Sequence, residues 1–388
     1  MTVPSTCTEL LQRMVAFDTV NANISGKPSP ERPLAEYIES VAADWGFATA
    51  RLPIEDDDIN LLVTHEVSRD APWLLFESHM DTVSVVGMTI DPFGGELRDG
   101  RIYGRGSCDT KGTGAAMLWA LKTYADDPDQ HLNIGVVFVT DEEVQKVGAG
   151  TFARRQLSEL DWTPAGVIVG EPTGSRMITA HNGSVRWWIR TRGVAAHSSD
   201  PARGRSAISA MTKVINAIES EYAPNLTTTD PLTGTPACTI NMIDGGSAIN
   251  IIPEQCSIYL DRRTVPGEDS RRVLPDVEAI LDRLRADDPD LDIVQETPLL
   301  DDPALDPSTN TQFAGFVGSI LDDLGLSADP LGAKYGTDAS LFPPAGVPAI
   351  VMGPGDIAQA HTADEWLDLE ELERGIDVYL ALMRSSKL

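Results

Sequence analysis

Histidine and carboxylate residues follow several apolar segments of the chain, at the point where each segment ends. LLFES runs into His79, IGVVFVT runs into three consecutive acids, and GVIVG runs into Glu171. AIVMGPG continues towards His361, and Asp109 follows the glycine-rich start of YGRGSCDTKG. Imidazole and carboxylate groups without thiolates are ligands that suit zinc, cobalt or manganese. The candidate residues are His79, Asp81, Asp109, Asp141, Glu142, Glu143, Glu171 and His361.

Each of these residues also has a simple structural explanation. His79 could be a hydrogen-bonded core histidine, Asp109 a turn residue, and the acids at 141–143 the first turn of a helix. If all of these explanations held together, however, several acids would lie close to one another at one sheet edge. Like charges repel there unless a positive charge compensates them. A divalent metal ion supplies that compensation. Because a single ion needs fewer carboxylates than this edge supplies, we expect two ions, about 3.5–4 Å apart, that share a bridging aspartate.

The candidate residues require strands that end at a common edge. The runs PWLLFESHMD, LNIGVVFVTDEE and AGVIVGEPT are too short for core helices and are bounded by turn formers. Helical patterns occur around them, such as PLAEYIESVAADWGF and GTGAAMLWALKTYA. This alternation predicts an α/β domain with a largely parallel sheet, whose functional groups gather at the carboxyl ends of its strands. Asp81, two residues after His79 on the same strand, is expected to orient the ring of His79.

The pattern changes from about residue 184. VRWWIRTRG reads as a strand, SAISAMTKVINAIESEY as a helix, PACTINMID and CSIYLDRRT as strands, DSRRVLPDVEAILDRLRAD as a helix and LDIVQE as a strand. This βαββαβ order is the ferredoxin-like unit. The α/β pattern then returns. We therefore predict an α/β catalytic domain of residues 1–180 and 297–388, with residues 181–296 inserted as a smaller domain.

Composition limits the partners and the location of the protein. Asp and Glu number 59 against 30 Lys and Arg, a formal charge of −29, so nucleic acid and anionic membrane surfaces are unsuitable partners. No apolar run approaches the roughly 18 residues of a membrane span, and the N-terminus lacks a secretory signal pattern. The four cysteines fit free thiols in a reducing cytosol. We expect a cytoplasmic protein; the terminal SKL would indicate peroxisomes only in a eukaryote.

Three other features of the sequence give weaker functional signals than the metal site. GRGSCDTKGTG lacks the spacing of a phosphate-binding loop, so nucleotide binding is rejected. No G-x-S-x-G nucleophile motif occurs, and Cys108 has no activating histidine beside it in sequence. Trp187 and Trp188 point to opposite faces of a strand, so we expect one ring in the core and the other at an interface.

The motifs resemble those of the M20 family of metallohydrolases, which includes acetylornithine deacetylase, succinyl-diaminopimelate desuccinylase, aminoacylases and glutamate carboxypeptidase. The matching segments are SHMDTV, GRGSCDTKG, TDEEV, GEPT, GVAAHSSDPARGRSAI, INIIPE, DRRTVPGE and GPGDIAQAHTADEW. They extend over nearly the whole chain in the family's order, and the segment from YGTDAS to ADEW most resembles the acetylornithine deacetylase branch. The resemblance implies a zinc-peptidase-like α/β catalytic domain with an inserted dimerisation domain.

The resemblance implies a metal-binding role for five residues. Asp109 would bridge two divalent ions, with zinc expected and cobalt or manganese as alternatives. His79 and Glu171 would complete the site of one ion. Glu143 and His361 would complete the site of the other.

The resemblance also implies the remaining catalytic roles. Glu142 would be the general base, taking a proton from the attacking water and passing it to the leaving nitrogen, and Asp81 would support the neighbouring histidine. His197, in the inserted domain, would reach the partner subunit's active site and hydrogen-bond the developing oxyanion. Asn250 and Arg263 would hold the substrate carboxylate.

The expected function is release of the acyl group from a small N-acyl amino acid by a cytosolic homodimer that pairs through the inserted domain. N-acetylornithine or a near relative is the favoured substrate. Desuccinylase, aminoacylase and dipeptidase or carboxypeptidase activities are alternatives within the family. A non-catalytic metal-binding scaffold is the alternative from another class, and the presence of Glu142 argues against it because a scaffold has no use for a free base.

Overall fold

The computed structural model describes residues 3–54 and 58–388. The chain divides into two compact units. Unit 1 comprises the residues up to Thr179 together with Pro307–Leu331 and Thr337–Leu388, and unit 2 comprises Ala180–Asp306 with Gly332–Gly336. The predicted domains, a catalytic domain of residues 1–180 and 297–388 and an inserted domain of residues 181–296, stay a prediction.

Strands and helices alternate in unit 1, and a mainly antiparallel pattern follows in unit 2. The strands are β1 (Ala48–Pro53), β2 (Ile59–His65), β3 (Trp73–His79), β4 (Glu96–Arg98), β5 (Arg101–Tyr103), β6 (Asn133–Val139), β7 (Pro164–Val169), β8 (Ile178–His181), β9 (Gly183–Arg192), β10 (Ala196–His197), β11 (Ala237–Gly245), β12 (Ile251–Ile252), β13 (Gln255–Thr264), β14 (Asp292–Gln295), β15 (Leu300–Asp302), β16 (Leu331–Ala333), β17 (Ala349–Val351) and β18 (Trp366–Asp368). The α-helices are α1 (Cys7–Val15), α2 (Ala22–Ser25), α3 (Arg32–Asp44), α4 (Lys111–Ala125), α5 (Val147–Thr151), α6 (Leu157–Glu159), α7 (Ala207–Ala217), α8 (Val273–Asp287), α9 (Thr311–Asp323) and α10 (Leu369–Met383).

The main sheet has eight strands in the order β1-β2-β6-β3-β7-β17-β8-β16. The central strands β6, β3, β7 and β17 are parallel, as the sequence predicted, whereas β1, β2 and β8 pair antiparallel. Every residue of β3 and β6 is buried, as expected of parallel strands covered on both faces. The carboxyl ends of β3, β6 and β7 therefore meet at one edge of the sheet.

Helix α4 lies unusually close to this sheet because its first turns contain glycine. A Cβ atom on Gly114 would lie 2.9 Å from the Phe138 ring and 3.0 Å from the Ser78 hydroxyl oxygen. The helix also packs against α1 and α10. This close approach fixes the start of α4, and with it the preceding residue Asp109, beside the end of β3.

Unit 2 contains the predicted ferredoxin-like arrangement. Its antiparallel sheet has the order β11-β13-β9-β14, and β15 also pairs with β9. Helices α7 and α8 contribute to the core on one face, where Trp187 is fully buried. Trp188, on the opposite face, is partly exposed and packs against Tyr259 of the neighbouring strand. One ring is thus in the core, as predicted, and the expected interface role of the other stays a prediction.

Two expectations from composition concern the whole chain. All four cysteines are free, which confirms the prediction of unpaired thiols. Among the helices that the structure describes, none has the length and apolarity needed to cross a lipid bilayer.

The loop between β6 and α5 depends on the absence of a side chain at residue 148. A Cβ atom on Gly148 would lie 2.3 Å from the backbone oxygen of Thr140 and 2.5 Å from its nitrogen. We predict that Gly148→Ala lowers the free energy of unfolding by about 1–3 kcal/mol, because overpacking against backbone forces the loop to move. Chemical denaturation of the metal-free protein measures this change.

Gly315→Ala is the matched control. Gly315 lies within α9 with no atom near its missing Cβ position, so alanine should stabilise the helix by about 0.5–1 kcal/mol. Equal stability of the Gly148→Ala variant and the wild type would contradict this account of the loop.

Candidate metal centre and active site

Asp81 holds the acidic loop after β6 against the end of β3. Because β3 and β6 are parallel and in register to their ends, the residues that follow them emerge side by side. The fully buried Asp81 carboxylate accepts hydrogen bonds from the backbone N–H groups of Glu142 at 3.0 Å and Glu143 at 3.2 Å. The Asn21 side chain donates to the same carboxylate at 2.8 Å. Asp81 therefore fixes the backbone of two glutamates that sequence analysis placed in the site.

The ring of His79 is oriented mainly through main chain. Its Nδ1 lies 3.0 Å from the backbone oxygen of Asp81 and 3.4 Å from the carboxylate oxygen Oδ1. Its Nε2 faces Oδ1 of Asp109 at 3.3 Å. A histidine that uses Nδ1 for a hydrogen bond presents Nε2 to a metal.

Polar contacts connect His79, Asp109, His361 and Glu143 in one continuous series. The Oδ2 atom of Asp109 lies 3.3 Å from Nε2 of His361, while its Oδ1 faces His79. The same His361 nitrogen lies 3.2 Å and 3.1 Å from the two carboxylate oxygens of Glu143. Asp109 therefore directs one oxygen towards each histidine, as a carboxylate that bridges two ions must.

Among the residues that the structure describes, two groups of three could each hold a cation. One is His79, Asp109 and Glu143, the other is His79, Glu142 and Glu171, and the ligand atoms in each group lie within 4.8 Å of one another. This donor set suits zinc, cobalt or manganese, so the residues fit the implied metals. The groups differ from the pairing implied by family resemblance in two ways. His79 joins Asp109 and Glu143 in place of His361, and Glu142 joins His79 and Glu171 in place of Asp109. The allotment of ligands to each ion stays a prediction.

The two histidines carry protons in the metal-free protein. Burial lowers the pKa of His79, but its hydrogen bonds to Asp109 and Asp81 outweigh this effect and raise it well above the ordinary value. Hydrogen bonds to Asp109 and Glu143 raise the pKa of His361 to about 10. Burial opposes ionisation of Asp109, but hydrogen bonds from both histidines hold its pKa below the usual range. An anionic Asp109 between two imidazolium groups is the result.

Two of the glutamates also retain protons easily. Burial, followed by the charge of Asp109, raises the pKa of Glu143 to about 8. The same two causes raise the pKa of Glu171 well above its usual value. Since metals bind deprotonated ligands, metal uptake at neutral pH must displace protons from this centre. Binding should therefore strengthen as the pH rises.

Glu142 differs from the other acids because it has its own cation. Burial raises the pKa of Glu142, and Lys146 opposes this shift. The Lys146 ammonium lies 3.3 Å from the Glu142 carboxylate, and both side chains are nearly buried. Lys146 adopts a left-handed backbone conformation, with φ of 58°, which a non-glycine residue adopts only at an energetic cost.

Glu365 is a residue of this centre that sequence analysis missed. It is completely buried, and its Oε1 accepts hydrogen bonds from the backbone N–H groups of Cys108 at 2.9 Å and Asp109 at 3.0 Å. Its Oε2 pairs with Arg105 at 2.6 Å. Glu365 therefore fixes the backbone that carries the candidate bridging ligand.

Arg105 extends this network to two further loops. It donates to the backbone oxygens of Ser84 at 3.0 Å and Thr362 at 3.3 Å. Thr362 follows the candidate ligand His361 directly. The only sequence signal for Glu365 was its position in the quoted segment AHTADEW, and nothing there indicated that it binds the backbone more than 250 residues earlier.

The remaining candidate residues, His197, Asn250 and Arg263, lie in unit 2. Strands β10 and β12 pair His197 with Ile251, and the N–H group of Ser198 donates to the backbone oxygen of Asn250 at 3.0 Å. His197 and Asn250 are therefore neighbours. Their predicted roles, like those of the metal ligands, stay predictions.

The fold and the centre at the sheet edge define a metal-dependent hydrolase of peptide or amide bonds. The chain belongs to Peptidase family M20/M25/M40, which matches residues 75–385, and the predicted family is confirmed. Acetylornithine deacetylase of Myxococcus xanthus is 29% identical over 381 residues, covering 94% of this chain and 93% of that protein. Acetylornithine deacetylase of Photorhabdus laumondii is 30% identical over 376 residues, covering 93% and 92%.

Solved structures share the fold at lower sequence identity. An M20 family metallo-carboxypeptidase from Sulfolobus solfataricus has a TM-score of 0.79 at 16% identity, covering 98% of this chain and 99% of that one. Aminopeptidase PepT from Bacillus cereus has a TM-score of 0.75 at 19% identity, covering 97% of both chains. A dinuclear metal binding M20 peptidase from Bacillus subtilis has a TM-score of 0.69 at 15% identity, covering 97% and 98%. These likenesses confirm the predicted fold.

The role of Glu365 can be tested through metal affinity. We predict that Glu365→Gln weakens binding of the metals about 10–100-fold, the usual effect of removing a partner that orients ligands. Glutamine would place an amide against Arg105 and lose the ion pair. Competition with a chelator measures the affinity.

Glu373→Gln, an exposed site on α10, makes the same substitution as a control and should leave the affinity unchanged. Circular dichroism of the metal-free forms identifies variants that retain the fold. A folded Glu365→Gln variant with wild-type affinity would show that this network does not position the ligands.

Proposed function

We propose that this protein is a two-metal amide hydrolase that removes the acyl group from an N-acyl amino acid, with N-acetylornithine or a near relative as the favoured substrate. The observation that carries the proposal is the separation of Glu142 from its neighbour. Glu143 joins the series of contacts through Asp109, whereas Glu142 pairs with Lys146. Similarity to acetylornithine deacetylases over 92–93% of their length supports the choice of substrate.

The proposed metals are held by His79, Asp109, Glu143, Glu171 and His361. Two bound divalent ions would lower the pKa of a water to about 7 and polarise the substrate carbonyl. Zinc is the expected metal, with cobalt or manganese as alternatives that this ligand set also suits.

Glu142 is the proposed general base. It accepts a proton from the attacking water and delivers it to the leaving nitrogen, a transfer that contributes roughly 10²–10⁴-fold to the rate. Burial favours the protonated form of its carboxyl group, and Lys146 favours the ionised form. These opposing influences suit a group that must take up a proton and then release it.

Residues of unit 2 complete the proposed mechanism. His197 donates a hydrogen bond to the developing oxyanion in the active site of a second subunit, a contribution of about 10²–10³-fold for a well-placed donor. Asn250 and Arg263 bind the carboxylate of the amino acid. This arrangement requires a homodimer that pairs through unit 2.

Other substrates of the same chemical class remain alternatives. A desuccinylase, an aminoacylase and a dipeptidase or carboxypeptidase all cleave an amide beside a carboxylate, and peptidases are among the structural relatives. A panel of N-acetyl, N-succinyl and aminoacyl derivatives, assayed on protein reloaded separately with zinc, cobalt and manganese, distinguishes them. If the protein is instead a non-catalytic metal-binding scaffold, none of the compounds in this panel will be hydrolysed.

Glu142→Gln tests the proposed chemistry. It removes the base but not the proposed ligands, so kcat should fall at least about 100-fold while two metal ions remain bound per chain. Steady-state kinetics and metal analysis provide the two readouts.

Asp141→Asn makes the same change in charge one residue earlier and serves as the control. Its side chain accepts a hydrogen bond from Asn21, which asparagine can retain, so most activity should survive. Undiminished turnover by Glu142→Gln would eliminate Glu142 as the base.

A further inference from the structure

One face of the sheet in unit 2 presents arginine side chains in a strongly acidic protein. Residues of β9 and β13 alternate between the core and the opposite face. Val185 and Leu260 are buried in the core, so Arg186 and Arg263 lie with Asp261 on the other face. Net charge is −29 for the whole chain, and such a field opposes the approach of anionic substrates. Local positive charge on this face therefore requires an explanation.

The two arginines share a single carboxylate. Nε of Arg186 lies 3.1 Å from Oδ2 of Asp261. Nε of Arg263 lies 2.9 Å from Oδ1, and its Nη2 lies 3.0 Å from Oδ2. The Ser184 hydroxyl also donates to Oδ1, at 3.2 Å. Asp261 is only 7% exposed, so its carboxylate holds both guanidinium groups in fixed positions.

This arrangement leaves hydrogen-bond donors unused. A guanidinium group carries five N–H donors, and Asp261 accepts one hydrogen bond from Arg186 and one from Arg263, whose Nε also lies within ion-pair distance of the same carboxylate. Both side chains are 30% exposed. Within residues 3–54 and 58–388, no other polar partner is seen for their remaining donors. Asp261 therefore balances only one of the two positive charges.

Two nearby arginines of unit 2 have carboxylates of their own. Arg262 is buried and pairs with Glu268 at 2.7 Å, and Arg190, on the same face as Arg186, pairs with Glu296. A pair of half-buried guanidinium groups with one carboxylate between them fits a second, external carboxylate, since planar guanidinium donors match carboxylate geometry.

We propose that Arg186 acts with Arg263 as a second binding residue for the substrate carboxylate, with both guanidinium groups held by Asp261. This inference rests on the proposed function, which assigns Arg263 alone to that carboxylate. The subsite therefore selects acyl amino acids whose carboxylate is free, and it discriminates against the corresponding amides and esters.

Arg186→Gln tests the proposal in the full-length, metal-loaded protein. With N-acetylornithine as substrate, KM should rise at least tenfold while kcat changes less than threefold, because the lost contact serves binding. With the carboxamide of N-acetylornithine, wild type and variant should have equal KM values. Arg186→Lys, which keeps the charge but not the planar donors, should fall between wild type and Arg186→Gln.

Arg190→Gln is the matched control, since it removes an arginine from the same face of the same strand. Its KM should equal that of the wild type. An unchanged KM for Arg186→Gln with the acid, or an equal loss with acid and carboxamide, would overturn the proposal.

Calorimetric binding of the same two compounds separates this inference from the proposed function. In one outcome, neither the wild type nor Arg186→Gln turns over N-acetylornithine, but Arg186→Gln binds the acid tenfold more weakly than the wild type and binds the carboxamide with equal affinity. The carboxylate subsite then stands and the deacetylase proposal fails. If turnover is normal and binding of the acid does not depend on Arg186, the inference fails alone.

Discussion

Mutual repulsion among buried acids is the constraint on which the centre of this protein depends. The buried acids Asp81, Asp109 and Glu171 meet the nearly buried side chains of Glu142 and Glu143 at one edge of a parallel sheet, where little water is present to screen their charges. In the metal-free protein, protons on His79 and His361 offset part of this charge. Divalent ions would offset it more completely, and they would also activate water for attack on an amide.

The scaffold holds these groups in place through contacts that lie behind them. Asp81 binds the backbone of the loop after β6, and Glu365 binds the backbone before α4. Both act on main-chain N–H groups, so the side chains of the proposed ligands remain free to bind metal ions. The separate pairing of Glu142 with Lys146 gives the two adjacent glutamates different surroundings, as their different proposed tasks require. Asp261 repeats the principle in unit 2, where one buried carboxylate orients two arginines.

Much of this arrangement could be predicted from the sequence, since local patterns carry it. Apolar runs that end in acids indicated β3, β6 and β7 and the residues at their ends, and the βαββαβ order of unit 2 was equally clear. Glu365 and Asn21 were missed because their partners lie far away in the chain and no local pattern marks them. The short strands β10, β12 and β15 were missed because two or three residues carry no detectable periodicity. The pairing of Arg186 with Asp261 depended on strand register, which sequence does not specify.

The central claim is that His79, Asp109, Glu143, Glu171 and His361 together hold two cations. Anomalous diffraction at the zinc absorption edge, from crystals of zinc-loaded protein, tests it most directly. The account predicts two peaks per chain, about 3.5–4 Å apart, with the Asp109 carboxylate between them. A single peak, or peaks remote from these five side chains, would contradict it.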